Sequence, residues 1–422
     1  MSTISINALV SLLLLLPFAA LGDDLSTTFD GHSKTRLLAD FYPDNSLFHP
    51  LTSDRAGSLE TELRLNFSAS KDAWTFDGAW QLYGAWGDRV ELFRNDSSGS
   101  LPGFSHLPND DRRLINFSDT IEDDDKLAVL HRLDRLSVTY ATDNLVVRAG
   151  RQAITWGNGL IFSPMDIVNP FDPTAVDTEY KSGDDMIYAQ YLLANGNDIE
   201  FAQVFRRDPV TGDSDSSVNT TAIKYHRLLG DAEYDLMIAD HSDNTTIAIG
   251  GNRSVGGAVV HGDVVWTDSI DGSRLQLVAN VSYSWVWGGK NISGLLEYYF
   301  NEFGQRSGQY DIASLTRNPA LLDRLERGEV FTVGRHYLSG GLIVEMTPLW
   351  ILSQNVFANL DDSSALLQVV SRNSLSDNAE ILAAINLPIG PGGSEFGGIS
   401  TGITDTYLSS DLSVFAQFSF YF

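Results

Sequence analysis

The feature that most limits what this chain can fold into is a two-residue alternation, clearest in its last stretch, LSSDLSVFAQFSFYF. Successive side chains of a β-strand point to opposite faces, so this strand has one apolar face and one polar face. The aromatic residues gather at the strand end, as in the interfacial girdles of transmembrane barrels. The apolar face comprises Leu408, Leu412, Val414, Ala416, Phe418, Phe420 and Phe422.

The same alternation recurs along the chain. From Leu275 to Trp287 the odd-numbered residues are apolar or aromatic, while Gln276, Asn280 and Ser282 lie opposite them. A soluble sandwich would also alternate. Here, however, the apolar faces finish in Trp, Tyr and Phe, and the polar faces are rich in Ser, Asn and Gln. This combination favours a barrel with lipid outside and water inside. We therefore predict an all-β fold, a transmembrane antiparallel β-barrel.

The pattern gives about 18 strands, with 16 as the alternative if weak segments such as 244–251 do not stand alone. Short links alternate with long ones, and if the last strand ends in the periplasm, the long links all lie outside the cell. A barrel this wide leaves an aqueous lumen unless something folds inside it. The predicted strands are 34–42, 58–68, 73–86, 128–140, 144–153, 185–194, 197–206, 218–228, 232–240, 244–251, 256–267, 273–287, 291–300, 331–345, 350–359, 362–372, 378–388 and 408–422.

The first 22 residues, 1–22, are predicted to be a signal peptide. Their apolar run from Leu9 to Ala20 is shorter than a membrane-spanning helix, and they end in small residues around Gly22, although the start has no Lys or Arg. Residues 23–422 are expected to form a single outer-membrane β-barrel domain, because large barrels use one long chain as one unit.

Composition and motifs argue against several classes of function. The net charge of −27 disfavours nucleic acid, which needs basic patches, and the lack of cysteine rules out a disulfide framework. No Ser/His/Asp catalytic group can be located, and no histidine pair has metal-ligand spacing. We expect no enzymatic activity, no catalytic residue, no metal and no cofactor.

A long segment without strand or helical period, 157–184, follows the strand 144–153. Alternation places Arg148 in the lumen, and a bulge at Gly150 would return Arg151 to the lumen instead of the lipid. The high apolar content of the segment favours a loop folded into the barrel over an acidic surface loop. Charged pairs between the arginines and carboxylates such as Asp166 and Asp172 would then form a constriction. The predicted constriction residues are Arg148, Arg151, Asp166, Asp172, Asp177, Glu179 and Lys181.

The polar faces of the strands predict the residues that line the lumen. They carry acidic and basic side chains in a mixed, slightly acidic balance. Ion preference in a channel follows the charges along its wall, so this balance favours neutral or weakly cation-preferring permeation. The predicted lumen-lining residues include Glu60, Glu62, Arg64, Arg135 and Glu297.

The stretch DIASLTRNPALLDRLERG, 311–328, has leucines at helical spacing and ends at Gly328. A glycine after the last periodic residue is a common helix stop. We predict a short helix in an extracellular loop, where it would cap the mouth of the barrel.

Two stretches carry a resemblance to known proteins. GRQAITWGNGLIFSPMDIVNPFDP and FDGHSKTRLLADFYPDNSLF, together with the terminal Phe, resemble uncharacterised Gram-negative outer-membrane barrels related to the porin and alginate-exporter group. The resemblance implies a channel or export barrel whose loop runs into or over the pore. The last strand also resembles the recognition strand that the barrel-assembly machinery reads, with Phe418, Phe420 and Phe422 as the signal.

The alginate exporter has a strongly basic lumen, which this sequence lacks, so polyanion export is disfavoured. The leading hypothesis is a porin-like channel in the bacterial outer membrane for passive diffusion of small hydrophilic solutes. Two alternatives stay open: an export barrel for a polymer or hydrophobic compound that works with a periplasmic partner, and a structural or adhesive surface barrel. Expected partners are outer-membrane lipid and lipopolysaccharide, the barrel-assembly machinery and small solutes, with a homo-oligomer as an open alternative.

Overall fold

The structure, a computed structural model, describes residues 25–52, 54–95, 107–269, 272–306, 308 and 310–422. The predicted signal peptide, 1–22, lies outside the described residues. Within the described ranges, no helix is long and apolar enough to cross a membrane.

Strands dominate the described residues, and four short helices lie in the connections. In chain order the elements are β1 Ser26–Phe41, α1 His49–Thr52, β2 Arg55–Lys71, β3 Trp74–Gly87, α2 Asp88–Asn95, β4 Ser118–Asp124, β5 Leu127–Ala141, β6 Leu145–Gln152, β7 Asp184–Leu192, β8 Asp198–Phe205, β9 Thr220–Leu229, β10 Ala232–His241, β11 Asn244–Val255, β12 Ala258–Ser269, β13 Gly272–Trp287, β14 Lys290–Asn301, α3 Ile312–Thr316, α4 Pro319–Glu326, β15 His336–Thr347, β16 Trp350–Asn359, β17 Ser364–Ser376, β18 Ala379–Ile389, β19 Ile399–Ser400, β20 Tyr407–Leu408 and β21 Leu412–Tyr421.

Eighteen of these strands close into one antiparallel barrel. Closure joins β1 to β21, with His32 opposite Tyr421 and Phe41 opposite Leu412. The backbones of Gly31 and Phe422 exchange hydrogen bonds of 2.9 and 3.0 Å at this seam. The prediction of 18 strands is confirmed. The weak segment 244–251 is part of β11, which continues to Val255. The alternative of 16 strands is wrong.

The two faces of the barrel reverse the usual arrangement of a soluble protein. On β14 the outward Leu296 is 51% exposed, whereas the inward Glu297 is fully buried. On β13 the outward Tyr283 is 48% exposed and the inward Asn280 is 4% exposed. An apolar exterior with aromatic ends around a polar interior is the arrangement that a bilayer requires.

The first barrel strand is longer than the sequence pattern indicated. β1 begins at Ser26, whereas the sequence pattern indicated residue 34. The pattern missed the first half of the strand because this half contains Gly31 and few apolar residues. A Cβ at Gly31 would lie 2.3 Å from the carbonyl oxygen of Arg64 and close to the Phe422 ring. Glycine therefore allows β1 to approach β2 and the end of the chain at the closing seam.

One strand of the sheet lies outside the ring of eighteen. The acidic run DTIEDDD, whose charges suggested a solvated loop, lies mainly in β4, which pairs with the first half of β5. β6, the other neighbour of β5, pairs only with its second half, from Leu136 to Ala141. β4 therefore covers the part of β5 that β6 leaves free.

Connections at the two ends of the barrel differ in length. At the end where β21 finishes, the links between β9 and β10, β11 and β12, and β13 and β14 each contain two residues. At the other end lie long connections such as 153–183, 302–335 and 390–411, together with all four helices. This asymmetry matches short periplasmic turns and long extracellular loops.

The predicted helix over 311–328 is two helices, α3 and α4. Asp311 caps α3, and Asn318 caps α4 with Pro319 at its first turn. Proline has no backbone N–H to continue a preceding helix but suits the start of a new one, which explains the break. Both helices pack onto an apolar cluster around Phe303, Tyr310 and Ile399 over the barrel mouth.

Candidate functional site: a loop across the lumen

The connection between β6 and β7, residues 153–183, is called the crossing loop here. Its first part bonds to Asp235 on β10 and Glu297 on β14, its apex to Gln368 on β17, and its last part to Lys34 on β1. These strands lie on sides of the barrel remote from β6 and β7. The loop therefore crosses the lumen, and the predicted inward fold is confirmed.

Glu297, a predicted lumen-lining residue, holds the first part of the crossing loop. Its carboxylate accepts hydrogen bonds from the consecutive backbone N–H groups of Leu160 at 2.8 Å and Phe162 at 2.6 Å, and from Ile161 between them at 3.2 Å. Asn280 donates a further bond at 3.0 Å. Such charge-assisted bonds are stronger than neutral ones, so one wall residue orients three successive loop residues.

Asn158 makes the second attachment. Its backbone N–H donates to Asp263 at 2.7 Å, and its side-chain amide donates to Asp235 at 3.1 Å and Asp263 at 3.0 Å. Trp156 donates its indole N–H to Glu200 at 2.7 Å. Four inward carboxylates on β8, β10, β12 and β14 therefore receive the loop.

Apolar packing supports the same attachment. Trp156, Met165, Ile167 and Val168 are buried against the inner wall, and Phe162 stacks on Tyr299 with ring centroids 4.5 Å apart. The wall opposite this cluster contains four alanines among larger residues such as Met186 and Met237, and the alanines leave room for the loop to approach the strands. The inward alanines are Ala202, Ala222, Ala239 and Ala248.

The returning part of the loop is held by ion pairs with β1. Lys34 contacts Asp177 and Glu179, each at 2.7 Å, and Arg36 contacts Asp177 at 3.3 Å. Burial would raise the pKa of Asp177, but the hydrogen bond and charge of Lys34 outweigh it and lower that pKa. Arg36 also contacts Glu62 at 2.8 Å, so the loop and the wall share one network.

Asp166 and Lys181 form a pair within the loop, with Nζ and Oδ2 2.6 Å apart. Lys181 also donates to the carbonyl of Ile154 at 2.5 Å. Burial raises the pKa of Asp166 to about 6 and lowers the pKa of Lys181. The pair therefore ties the two ends of the loop together at a desolvation cost.

The predicted pairing of Asp166 and Asp172 with Arg148 and Arg151 is wrong. Asp166 pairs with Lys181, and Asp172 Oδ1 accepts bonds of 2.8 Å from the N–H and hydroxyl of Thr174. Both loop carboxylates thus find their partners within the crossing loop, because Lys181 and Thr174 lie beside them in the folded loop.

The predicted bulge at Gly150 is also absent. β5 and β6 pair without a shift through Gly150 opposite Ser137 and Arg151 opposite Leu136. Continuous alternation places Arg148 inward, with its Nε donating to Thr139 at 3.0 Å, and Arg151 on the outward face.

Arg151 is nevertheless buried, because the segment 107–117 covers it. Its guanidinium contacts Asp110 at 2.6 Å and Asp185 at 3.0 Å, and it donates to the carbonyl of Ile115 at 2.5 Å. The ring of Phe117 lies against the guanidinium. Arg151 thus joins the outer wall to an extracellular connection and does not line the lumen.

A bulge does occur on the neighbouring strand. Pairing of β3 with β5 shifts so that Asp134 has no direct partner between Leu133 and Arg135. Asp134 is buried among basic residues, with Arg64 and Arg135 each at 2.8 Å. Both arginines were predicted to line the lumen, but the carboxylate that pairs with them was not predicted.

Sequence reasoning missed Lys34 and Arg36 as partners of the crossing loop, although a signal was present. The two residues are separated by one position in KTRLLADFY, where Thr35 and Leu37 alternate with them. Strand alternation therefore puts both cations on one face. Asp110 carried no such signal, because its surroundings have no strand period.

The remaining predicted residues lie on the barrel wall. Glu60 is half-buried and lies two residues before Glu62, on the same face of β2. Phe418, Phe420 and Phe422 point outward and are 45%, 45% and 49% exposed. Within the described ranges, no group of three or more histidine or acidic residues is placed to hold a metal ion.

No protein-family profile matches the sequence, and a search of curated proteins finds no relative. Solved structures do match. OccAB3 of Acinetobacter baumannii superposes with a TM-score of 0.55 at 9% identity, over 94% of this chain and 99% of that one. OccK5 (OpdH) of Pseudomonas aeruginosa gives 0.54 at 9% identity, over 94% and 98%.

A BenF-like porin from Pseudomonas fluorescens Pf-5 matches with a TM-score of 0.52 at 9% identity, over 94% of this chain and 98% of that one. Identity this low establishes the likeness of fold alone. The alginate-exporter part of the resemblance finds no support in these comparisons. The chain has the closed 18-stranded antiparallel barrel fold of solved porin structures.

Proposed function

We propose that the protein is a porin-like channel of the bacterial outer membrane, through which small hydrophilic solutes diffuse passively. The observation that carries this proposal is the crossing loop, which is anchored on several sides of a lumen with a polar inner wall. Eighteen strands enclose more space than their own side chains fill. A loop fixed across such a lumen narrows it without making it apolar.

The charges around the crossing loop support a weak preference for cations. Lys34, Arg36 and Lys181 are each paired with a carboxylate. Asp172, Asp263 and Glu297 have no lysine or arginine partner among the described residues, and Lys34 and Lys224 each contact two carboxylates. Arg64, Arg132 and Arg135 share the one carboxylate of Asp134, so the excess of negative charge is small. Arg148 opposes this excess, because in the described chain it bonds only to Thr139. Channel walls select ions by such fixed charges.

Planar-bilayer conductance of the refolded full chain tests the proposal. We expect discrete channel events. In a potassium chloride gradient, the sign of the reversal potential should show that cations permeate better than anions. Replacing 160–178 with a short Gly/Ser link should raise conductance, because it removes the part of the loop that crosses the lumen.

A matched control replaces the exposed stretch 209–216, in the connection between β8 and β9, with the same link. This change should leave conductance as it is. A folded barrel without channel events at any voltage, or equal effects of the two replacements, would contradict the channel.

Export of a polymer and a purely adhesive role are the other classes. A loop tied across the lumen obstructs a polymer chain, and no specific contact among the described residues favours adhesion. Liposome swelling with small neutral sugars separates the classes, since only an open channel admits the sugars. Recognition by the barrel-assembly machinery, contact with lipopolysaccharide and self-association are further proposals that accompany an outer-membrane location.

A further inference from the structure

A cavity of about 660 Å³ lies at the mouth of the barrel, between the crossing loop and the extracellular connections. It is bordered by Asp172 to Thr174 of the loop, by 325–328 and 330–333 at and after the end of α4, and by Asn386 and Ser413 on the wall. Pockets that hold small organic ligands have volumes of about 300–1,000 Å³. We call this cavity the vestibule; it has the size of a ligand site.

Aromatic rings make up much of the vestibule wall. The aromatic residues come from five separate parts of the chain: the β1–β2 connection, the crossing loop, the connection 302–335, β16 and the connection 390–411. Phe331 and Phe396 are partly exposed, whereas the other four rings are buried and offer only a small part of their surface to the cavity. Ring surface of this kind binds apolar groups, and an accessible π face attracts cations. The aromatic residues of the vestibule are Tyr42, Phe48, Phe162, Phe331, Phe357 and Phe396.

Asp172 is the acidic group that the loop brings to the vestibule. Its Oδ1 accepts both bonds from Thr174, whereas Oδ2 has no hydrogen-bond donor among the described residues. The carbonyl of Thr174 in turn accepts a bond of 2.8 Å from Gln368 on β17. Asp172 is therefore held in place with one carboxylate oxygen available to a ligand.

The basic residues of the vestibule are already engaged. Arg89 is paired with Asp40, and Arg327 contacts both carboxylate oxygens of Glu329 at 2.5 and 3.1 Å. An anionic ligand would thus meet no uncommitted guanidinium among the described vestibule residues. It would instead meet Asp172 and Glu395, which both line the cavity.

We propose that the vestibule binds small organic cations with an apolar body, with Asp172 as the charged partner of the cation and the aromatic rings around its apolar part. This inference rests on the proposed channel and names its substrate class. A cation in a partly desolvated site gains from both a carboxylate and aromatic faces. Small inorganic cations would gain only the carboxylate, and anions neither.

Binding of benzyltrimethylammonium to the refolded full chain in detergent, measured by calorimetry, tests the inference directly. Benzoate, which carries a similar ring and the opposite charge, is the comparison ligand. We expect binding of the cation, no binding of benzoate, and at least a tenfold loss of cation affinity in Asp172→Asn. The asparagine keeps the Oδ1 acceptor for Thr174, so the loop keeps its local hydrogen bonds.

Glu326→Gln is the matched control, because Glu326 also lines the vestibule but is exposed at its rim, 3.8 Å from Arg112. It should change cation affinity by no more than about twofold, the size expected of a screened surface charge. Equal losses in the two variants, unchanged affinity in Asp172→Asn, or stronger binding of benzoate would overturn the inference.

Bilayer recordings separate this inference from the proposed channel. Benzyltrimethylammonium should block potassium current in the wild type and block Asp172→Asn at least tenfold less effectively. Cation binding without any conductance would contradict the channel and leave the vestibule site standing. Conductance without cation binding or block would contradict the vestibule site alone.

Discussion

At the scale of single residues, Arg148 and Arg151 show how little sequence spacing says about environment. Both lie on β6, yet Arg148 points into the lumen and Arg151 points outward beneath the segment 107–117. The outward position is tolerable only because Asp110 and Asp185 pair with the guanidinium and Phe117 covers it. An unpaired arginine on the lipid face would cost about 2–4 kcal/mol at the midplane.

Arg151→Ala should therefore destabilise the protein by about 3–5 kcal/mol, because it leaves the buried Asp185 without a basic partner and Asp110 with Arg113 alone. Conductance should change little, since the residue does not line the lumen. Denaturant unfolding in detergent or vesicles measures the first effect, and bilayer recordings measure the second.

Arg148→Ala is the matched control with the opposite outcome. Its loss removes one hydrogen bond to Thr139, worth about 1 kcal/mol, and one positive charge from the lumen. Stability should change slightly, while the reversal potential shifts further towards cations. A larger stability loss for Arg148→Ala than for Arg151→Ala would contradict the assignment of the two faces.

Glu395 in the 390–411 connection gives the mouth of the barrel a pH dependence. Its carboxyl group accepts bonds from the backbone of Val333, the Tyr337 hydroxyl and the Asn359 amide. Burial raises the pKa of Glu395 from 4.5 to about 7. Between these two pKa values the folded state holds a proton that the unfolded state releases. Glu395 therefore contributes its full stabilisation of the folded state below about pH 4.5, and this contribution is lost as pH rises through 7.

Hydrogen exchange of residues 390–411, corrected for intrinsic rates, should therefore show weaker protection at pH 8 than at pH 5. At about 1.4 kcal/mol per pKa unit the difference is at most about 3 kcal/mol, and water in the vestibule reduces it. Glu395→Gln should abolish the difference, and Glu326→Gln should retain it. The same pH dependence in Glu395→Gln would exclude this residue as the cause.

At the scale of elements, the crossing loop depends on wall carboxylates more than on its own structure, because it contains no helix or strand. Its apolar residues pack on inward alanines, and its first part is oriented by Glu297. A segment of this length stays ordered only if such contacts outweigh its conformational entropy.

Glu297→Gln should loosen the crossing loop by about 1–3 kcal/mol, because the amide replaces one acceptor oxygen with a donor facing backbone N–H groups. Limited proteolysis between 153 and 183 should become faster while the barrel stays folded, and channel conductance should become noisier. Glu345→Gln is the control, since Glu345 bonds only to Asn291 among the described residues, near the opposite end of the barrel. Equal proteolysis of the two variants would count against Glu297 as the anchor.

At the scale of the whole molecule, the last residue serves both closure and, we propose, assembly. The backbone of Phe422 closes the seam with Gly31, while its side chain points outward. Phe422→Ala keeps the backbone hydrogen bonds, so the refolded barrel should lose little stability. Assembly in cells should fall several-fold if the aromatic side chain is the signal.

The amount of heat-modifiable, folded barrel in outer-membrane fractions measures this assembly. Ile385→Ala is the control, because Ile385 is an exposed, outward residue on the neighbouring strand β18. This variant should assemble normally. An equal loss of assembled protein in both variants would assign the effect to barrel stability and not to recognition of the terminal residue.

The sequence by itself determined the barrel, the strand number and the faces of most strands. Side-chain alternation has a period of two whatever the partner strand is, so most apolar faces could be read locally, but not the first half of β1 or the acidic β4. The inward loop followed from the same source, because its apolar residues needed a wall to pack against.

Only the tertiary structure decided which charges meet. Lys34 and Asp177 are 143 residues apart in sequence, and Asp110 reaches Arg151 from a segment without any period. Pairing depends on how the sheet closes and on where a bulge falls, at Asp134 instead of Gly150. A one-residue difference in register reverses the face of a side chain, and local sequence does not specify that register in full.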